Sequence, residues 1–376
     1  MNAIRILNLD FERIGEIDIY SSFSIVRRWN RPGSFTLKLN VDSPYVDQLI
    51  KDNIVVVGGS LRKAGLILYK QFEEGDEEIL TVKGVTLDGI VKRRLVIPES
   101  GHTNLEFNGN AESVMKHFID KTLVNTSDPR RSFPNVSIAD GHNRGINIIG
   151  ERRWDNLSNV LEDFSNLSKL GYEASLDYEN QNIVFEVYEG TDRSAGQVDV
   201  PPVILSPDFE SIMEQSYIES FLDYANVAYV GGEGEKQDRR VVIVGEDEGF
   251  DRFETFVDAR VSEEDDEGNP KSNEVIIEEI TQAGREILEE LATQLSYEGR
   301  LADQQTFVYE RDFYLGDIVT LRNKSWGVTL NTRITEVTEI YEREGQKVNL
   351  QFGTNKLNIT SKIRRSLRQV SGEVFR

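Results

Sequence analysis

Over the first hundred residues, apolar and polar positions alternate in short runs separated by turn formers, the period-two signature of half-buried strands. Ile4–Leu9 and Ile14–Ile19 are two such runs, with Ile17 and Ile19 flanked by polar neighbours. Phe23–Trp29 is followed by Asn30-Arg31-Pro32-Gly33 and then by a strict alternation that puts Phe35, Leu37 and Leu39 on one face. That pattern predicts a hairpin. Further strands are expected at 54–57, 66–69 and 79–85, with Gly58-Gly59 and Gly75-Asp76 as turns, a texture that favours a small barrel or sandwich.

Helical periodicity enters after residue 96. Asn110 is placed to cap a helix carrying Val114, Met115, Phe118 and Ile119 on one face. A second helix is predicted from Trp154 to Leu170 through Leu157, Val160, Leu161, Phe164 and Leu167, with Gly171 ending it. Strands at 172–176 and 183–188 flank Asp177–Gln181, and Val200-Pro201-Pro202 closes the region. Strands return at 209–218, 226–230, 241–244 and 253–258, before a long amphipathic helix over 273–294 with Ile277, Ile280, Ile287, Leu288, Leu291 and Leu295 at three- and four-residue spacings. The chain then reads as strands at 306–309, 318–321, 332–341 and 348–352. No tandem repeat of 20–50 residues is visible.

The length of 376 residues suggests two to four domains, and 38% hydrophobic with 29% charged residues is globular composition. With 65 acidic against 43 basic residues the net charge is −22, which disfavours specific binding to nucleic acid or to anionic membranes. The absence of cysteine excludes disulfides, thiolate metal sites and a cysteine nucleophile. Neither a secretion signal at Met1–Leu9 nor an apolar run long enough to span a bilayer is seen, so synthesis in a cytoplasm without membrane insertion is expected.

Candidate chemistry is sparse. His102, His117 and His142 lie far apart and outside any metal-ligating spacing. Asp177–Gln181 shares part of a calcium-loop pattern but lacks the central glycine and the closing glutamate, and a turn between strands is the better reading. Gly231–Glu235 is glycine-rich but acidic and has no phosphate-loop lysine, so it reads as a loop. Glu246–Glu248 and Glu263–Glu267 read as solvated loop surface, with an anionic rim that repels passing DNA as the sharper alternative. No serine-hydrolase elbow is present, and carboxylate pairs in so acidic a chain decide nothing. No catalytic, cofactor-binding or metal-ligating residue is nominated, and no cofactor is expected.

One turn is more specific. Tyr314-Leu315-Gly316-Asp317 delivers the chain into a strand through Ile318 and Val319, followed by Ile334–Tyr341, Gly345 and Val348–Gly353. That ensemble, with the opening hairpin at Phe23–Trp29 and Gly33–Leu37, resembles the phage tail hub proteins: the N-terminal structural domain of siphophage tail-associated lysins and the baseplate hub of contractile-tailed phages. The resemblance implies a β-rich α+β, multidomain fold with two small β-barrel domains and two α+β inserts. Its divisions fall at 1–95 (barrel), 96–202 (α+β insert), 203–300 (strands, acidic loop and long helix, partly contributing to the final barrel), 301–354 (barrel) and 355–376 (basic tail). It implies a homotrimeric ring at the virion tail tip that closes the tail tube and anchors the tip complex during DNA delivery. Implied partners are the distal tail protein, the tail tube and the tape-measure protein.

The resemblance transfers no catalytic residue, because such lysins carry their peptidase in an extension beyond the last barrel. A carbohydrate- or receptor-binding tail protein is the alternative, and would need an exposed aromatic platform; the aromatics here mostly fall at strand positions expected to be buried. A tail-associated cell-wall hydrolase is the weaker alternative. The end of the sequence changes sign: Lys356, Lys362, Arg364, Arg365, Arg368 and Arg376 face only Glu373. A solvated end is the default expectation, and partner docking by charge complementarity is the functional one.

Overall fold

A computed structural model describes residues 2–353, apart from 76–77, 235–238, 260, 265–268 and 303–305. Seven strands open the chain: β1 (Ile4–Leu7), β2 (Arg13–Ile17), β3 (Ser22–Arg28), β4 (Ser34–Asn40), β5 (Ile54–Val57), β6 (Ala64–Glu73) and β7 (Ile79–Thr86). The predicted hairpin is β3–β4, with Phe23 opposite Leu37 and Ile25 opposite Phe35. Their alternating faces bury Phe23, Ile25, Phe35, Leu37 and Leu39 in a core shared with Ile4, Ile6, Val55 and Tyr341.

The central region holds β8 (Leu105–Asn110), α1 (Ala111–Ile119), β9 (Val136–Ile138), β10 (Asn147–Arg152), α2 (Leu157–Ser168), β11 (Gly171–Asp177) and β12 (Asn182–Tyr188). Asn110 caps α1, its side chain accepting from the Ser113 N–H, and Asn156 caps α2 from Ser158 in the same way. The apolar stripes of both helices meet Ile54, Val56, Leu66 and Leu87 in one core, so this region is fused to the opening strands. Lys169, in the left-handed conformation, ends α2 instead of Gly171. Gly171 serves a different need, since a Cβ there would stand 2.4 Å from the Trp29 ring.

The chain continues through β13 (Asp192–Arg193), β14 (Ile204–Leu205), β15 (Ile212–Ser220), β16 (Val227–Gly231), β17 (Val241–Val244), β18 (Glu254–Asp258), α3 (Asn273–Glu290), β19 (Gln294–Leu301), β20 (Ile318–Asn323), β21 (Val328–Glu342) and β22 (Gly345–Gly353). The expected strand at 306–309 is a turn, with Asp312 accepting from the Val308 N–H and Glu310 at φ 64°.

The two strand-rich ends are not separate barrels. They form one hydrogen-bonded sheet in the order β15-β19-β22-β21-β3-β4-β7-β6-β5-β1-β2, with β20 branching from β21 and receiving β13 and β14. No sheet among the described residues closes on itself. The reason is β21: its first half pairs with β20, while its second half pairs with β22 on one edge and β3 on the other. The edge that would have closed a C-terminal barrel is used to join the N-terminal strands.

Trp29, at the end of β3, is wedged in this junction and only 3% exposed. Its N–H donates to the Thr335 carbonyl, its own carbonyl accepts from Tyr172, its ring meets Tyr188 edge-on at 4.7 Å, and the Arg333 guanidinium covers the ring at 4.7 Å. Gly316 lies against the same ring at φ 94°, where a Cβ would stand 2.0 Å from it. Gly316→Ala therefore combines backbone strain with a clash against an immobile indole, and should cost about 2–4 kcal/mol in a urea unfolding measurement. A loss within experimental error would show that the indole can move aside.

Candidate functional site

The Leu315-Gly316-Asp317 turn lies where the central region meets the last strands. Asp317 is nearly buried, and its carboxylate accepts from the Thr191 N–H (2.8 Å), the Tyr314 N–H (2.9 Å) and Arg193 Nε (2.8 Å). These bonds fix residues 191–193 so that β13 runs parallel to β20. Leu315 is buried in the core with Trp29, Phe313 and Val319. The turn is an internal tie between segments about 125 residues apart, as the Asp317–Thr191 separation of 126 shows.

Beside it runs a network of buried charges. Arg27 on β3 reaches Glu173 on β11 (3.0 Å) and Glu310 before β20 (2.8 Å). Lys63 before β6 bridges Glu310 (2.7 Å) and Glu339 on β21 (2.8 Å). Glu339 is 1% exposed and also accepts from Tyr341 and Gln346, each at 2.8 Å. Five segments converge on these residues, and no periodicity could have revealed that. The one available signal is charged residues at inward positions of otherwise alternating strands, Arg27 and Glu339 among them.

Arg27, Arg28, Arg62, Thr86, Asp88, Glu173, Ala174 and Leu315 surround a void of about 10 Å³, the size of one water. Burial pushes the Asp88 carboxyl up to about 6; a Thr86 hydrogen bond, Lys92 and Arg27 oppose the rise and Glu173 adds to it. Around this void Arg27 and Arg62 hold Glu173 while Asp88 lies against Thr86 at the end of β7, so the arrangement ties β3, β7 and β11 together.

The remaining candidates resolve into structural roles. Asp177 accepts from the Glu179 and Asn180 N–H groups and closes the β11–β12 hairpin. His117 stacks on Phe107 at 4.4 Å, with burial and then Lys121 lowering its pKa. His142 donates its backbone N–H to the buried Glu112, which also holds Lys116 and the Arg144 N–H; sequence reading missed this loop anchor. No group of three potential ligands gathers for a metal among the described residues. No helix there is long and apolar enough to cross a membrane. Lys356, Lys362, Arg364, Arg365 and Arg368 lie outside the described residues.

Exposed aromatics are more numerous than expected: Trp154, Phe209, Phe221, Phe250, Phe253, Phe256 and Trp326 all present substantial surface. Four of them, Phe221 to Phe256, cluster around the small sheet β17-β16-β18, whose other face is covered by α3.

The family described as Siphovirus ReqiPepy6 Gp37-like protein matches residues 3–354. The chain belongs to this family. Its fold is shared with the tail protein of Neisseria meningitidis MC58 (TM-score 0.57, 13% identity, covering 94% of this chain and 97% of that one). It is also similar to the 43 kDa tail protein of prophage MuSo2 from Shewanella oneidensis (0.58, 11%, 93% and 98%). Prophage tail protein gp18 from Listeria monocytogenes EGD-e matches over 99% and 100% of the two chains (0.52, 12%). No curated protein sequence matches the chain.

Two measurements probe the locked centre. Lys63→Met leaves the buried Glu339 without its cation and should lower stability by about 3 kcal/mol in denaturant unfolding, whereas a surface pair would change it by less than about 1. Asp88 has a folded-state pKa raised above its unfolded value, so its contribution is present below about pH 4 and is lost as pH rises to about 6. Asp88→Asn should therefore gain on the native chain by up to about 3 kcal/mol between pH 4 and 7; a pH-independent difference would refute the raised pKa.

Proposed function

We propose that this chain is a structural subunit of a bacteriophage tail, placed at the tail tip or baseplate, where three copies form a ring. The ring closes the tail tube, anchors the tip complex during DNA delivery and contacts the distal tail protein, the tube and the end of the tape-measure protein. It performs no catalysis of its own. The observation that carries this reading is the joining of both chain ends into one sheet, in a chain whose family is siphoviral and whose fold recurs in prophage tail proteins.

The architecture suits a ring. The long sheet ends in two different strands, β2 and β15, each with a ladder partner on one side only among the described residues. A head-to-tail ring needs two unlike surfaces on opposite sides of each subunit, and closes when the rotation between copies divides a full turn. The locked centre suits a part that transmits load, because Arg27, Lys63 and Trp29 resist sliding between the two halves. The net charge of −22 would keep DNA from adhering to the lumen as it passes.

Mass photometry of the protein, alone and mixed with its tail-tube and distal-tail partners, should show a species at three times 42.8 kDa, and averaged electron images should show three-fold symmetry around a channel. Monomer in both preparations would sink the ring. Loss of turbidity from purified cell walls on adding the protein would overturn the non-enzymatic part.

A further inference from the structure

Three hydrogen-bonded segments of the central region turn basic in this acidic chain. Arg94 Nε donates to the Arg131 carbonyl at 2.8 Å, and the Arg131 guanidinium donates to the Leu95 carbonyl. The Val96 N–H donates to the Asp155 carbonyl, and the Trp154 N–H to the Val96 carbonyl. Residues 92–96, 128–134 and 152–156, laced together in this way, hold seven basic residues and two acidic, a net of +5 in a chain of −22.

Arg93, Arg130 and Arg152 are paired with Asp52, Asp128 and Glu286. Lys92, Arg94, Arg131 and Arg153 have no carboxylate within ion-pair distance among the described residues, and Lys92 and Arg153 are exposed. Arg94 directs its donors to backbone carbonyls and lies over the Phe133 ring at 4.2 Å. Burial lowers its pKa, and Arg131 and then Arg93 lower it further, as like charges without a counter-charge do.

Among these cations stands Trp154. Its ring is 61% exposed, and its backbone takes φ 58°, the left-handed region that a bulky side chain adopts only under strain. Leu95, bridged to Asn156, is 45% exposed. An exposed tryptophan on strained backbone, set among arginines, has the composition of an interface anchor.

A long polyanion suits this surface poorly. The rest of the chain carries −27, which repels whatever extends past the patch by less than a Debye length of about 10 Å from the surrounding surface. A short acidic segment with an apolar anchor of its own suits it well, and the chain carries one. The loop Gly245–Arg252 presents Glu246, Asp247, Glu248 and Asp251, none in an ion pair with a described residue, around Phe250, which is 100% exposed. That loop is fixed within its own module, where Asn226 Nδ2 donates to the Asp251 carbonyl (2.7 Å) and Arg252 to the Asp247 carbonyl (2.8 Å), and it makes no hydrogen bond or ion pair with the patch of the same chain among the described residues.

We propose that the patch around Trp154 receives the Gly245–Arg252 loop of a second copy, with Phe250 against Trp154 and Leu95 and the loop carboxylates facing Lys92, Arg94, Arg131 and Arg153. This rests on the ring reading and supplies that ring with a contact. The two surfaces are unlike, so each copy offers its patch to one neighbour and its loop to the other, the head-to-tail arrangement that closes a ring.

The absence of cysteine makes the test direct. Arg153→Cys and Glu248→Cys are made in separate full chains with tags of different length, mixed, and treated with a flexible bismaleimide. A crosslinked heterodimer is expected, and neither chain alone should crosslink. Lys92→Glu with Arg153→Glu should weaken trimer formation by about tenfold or more in mass photometry, as should Glu246→Lys with Glu248→Lys, and the four reversals in one chain should restore it. None of these four side chains bonds to a described residue, so the unfolding transition should stay in place. Asn tolerates left-handed backbone, so Trp154→Asn should weaken assembly while leaving the subunit at least as stable. Trimers that survive either pair of reversals, or that form without the crosslink, overturn this contact and leave the ring standing. Monomer alone at every concentration, with and without the tail partners, overturns both. Binding of a fluorescent single-stranded oligonucleotide that Lys92→Glu with Arg153→Glu abolishes would give the patch to nucleic acid instead.

Discussion

Strand β3 gives one edge to β4, its hairpin partner, and the other to β21, more than 300 residues away; the Arg28–Glu336 ion pair across that ladder has a separation of 308. Everything else depends on this pairing. It turns two strand-rich ends into one sheet, brings the Arg27 guanidinium to Glu310, and presents Trp29 as the wedge against which Gly171 and Gly316 close. Closing a loop of that length in an open chain would cost about 4 kcal/mol more than closing a tight turn. That cost is lowered if the intervening modules fold first and bring the strands together as short connections between compact bodies.

The charges at the junction are not an economical way to hold it. Buried ion pairs recover little beyond their desolvation, and apolar substitutes of the same shape are often as stable. What Arg27, Lys63, Glu173, Glu310 and Glu339 supply is register. Each sits on a different segment, and a slip of one residue along β21 would turn Glu339 to the other face and leave Lys63 with one partner fewer.

Away from the junction the molecule becomes looser in construction. The module of β16–β18 and α3 has a small core around Ala228, Val230, Ile276 and Ile280, and its other face leaves Ile243 and Phe256 exposed.

Much of the local structure was legible in the residues. The β3–β4 hairpin follows from strict alternation at Phe35, Leu37 and Leu39, the start of α1 from Asn110 ahead of an apolar stripe, and the body of α2 from its own stripe, although its cap at Asn156 went unread. Composition set the charge and the absence of thiol chemistry, and the alternation of apolar and polar positions set the β-rich class. Periodicity reports which face of an element is buried, not which partner buries it. For that reason the sequence read two barrels where β21 joins the halves into one open sheet, assigned Gly171 to a helix end when its role is to admit the Trp29 ring, and placed the aromatics of β18 and its preceding loop inside when they are exposed. The sequence determined the elements, because short-range sterics and hydrophobic period act within a few residues. Only the tertiary structure decided how they join, because the edge of a strand carries no side-chain signal and its backbone groups accept any partner that arrives in register.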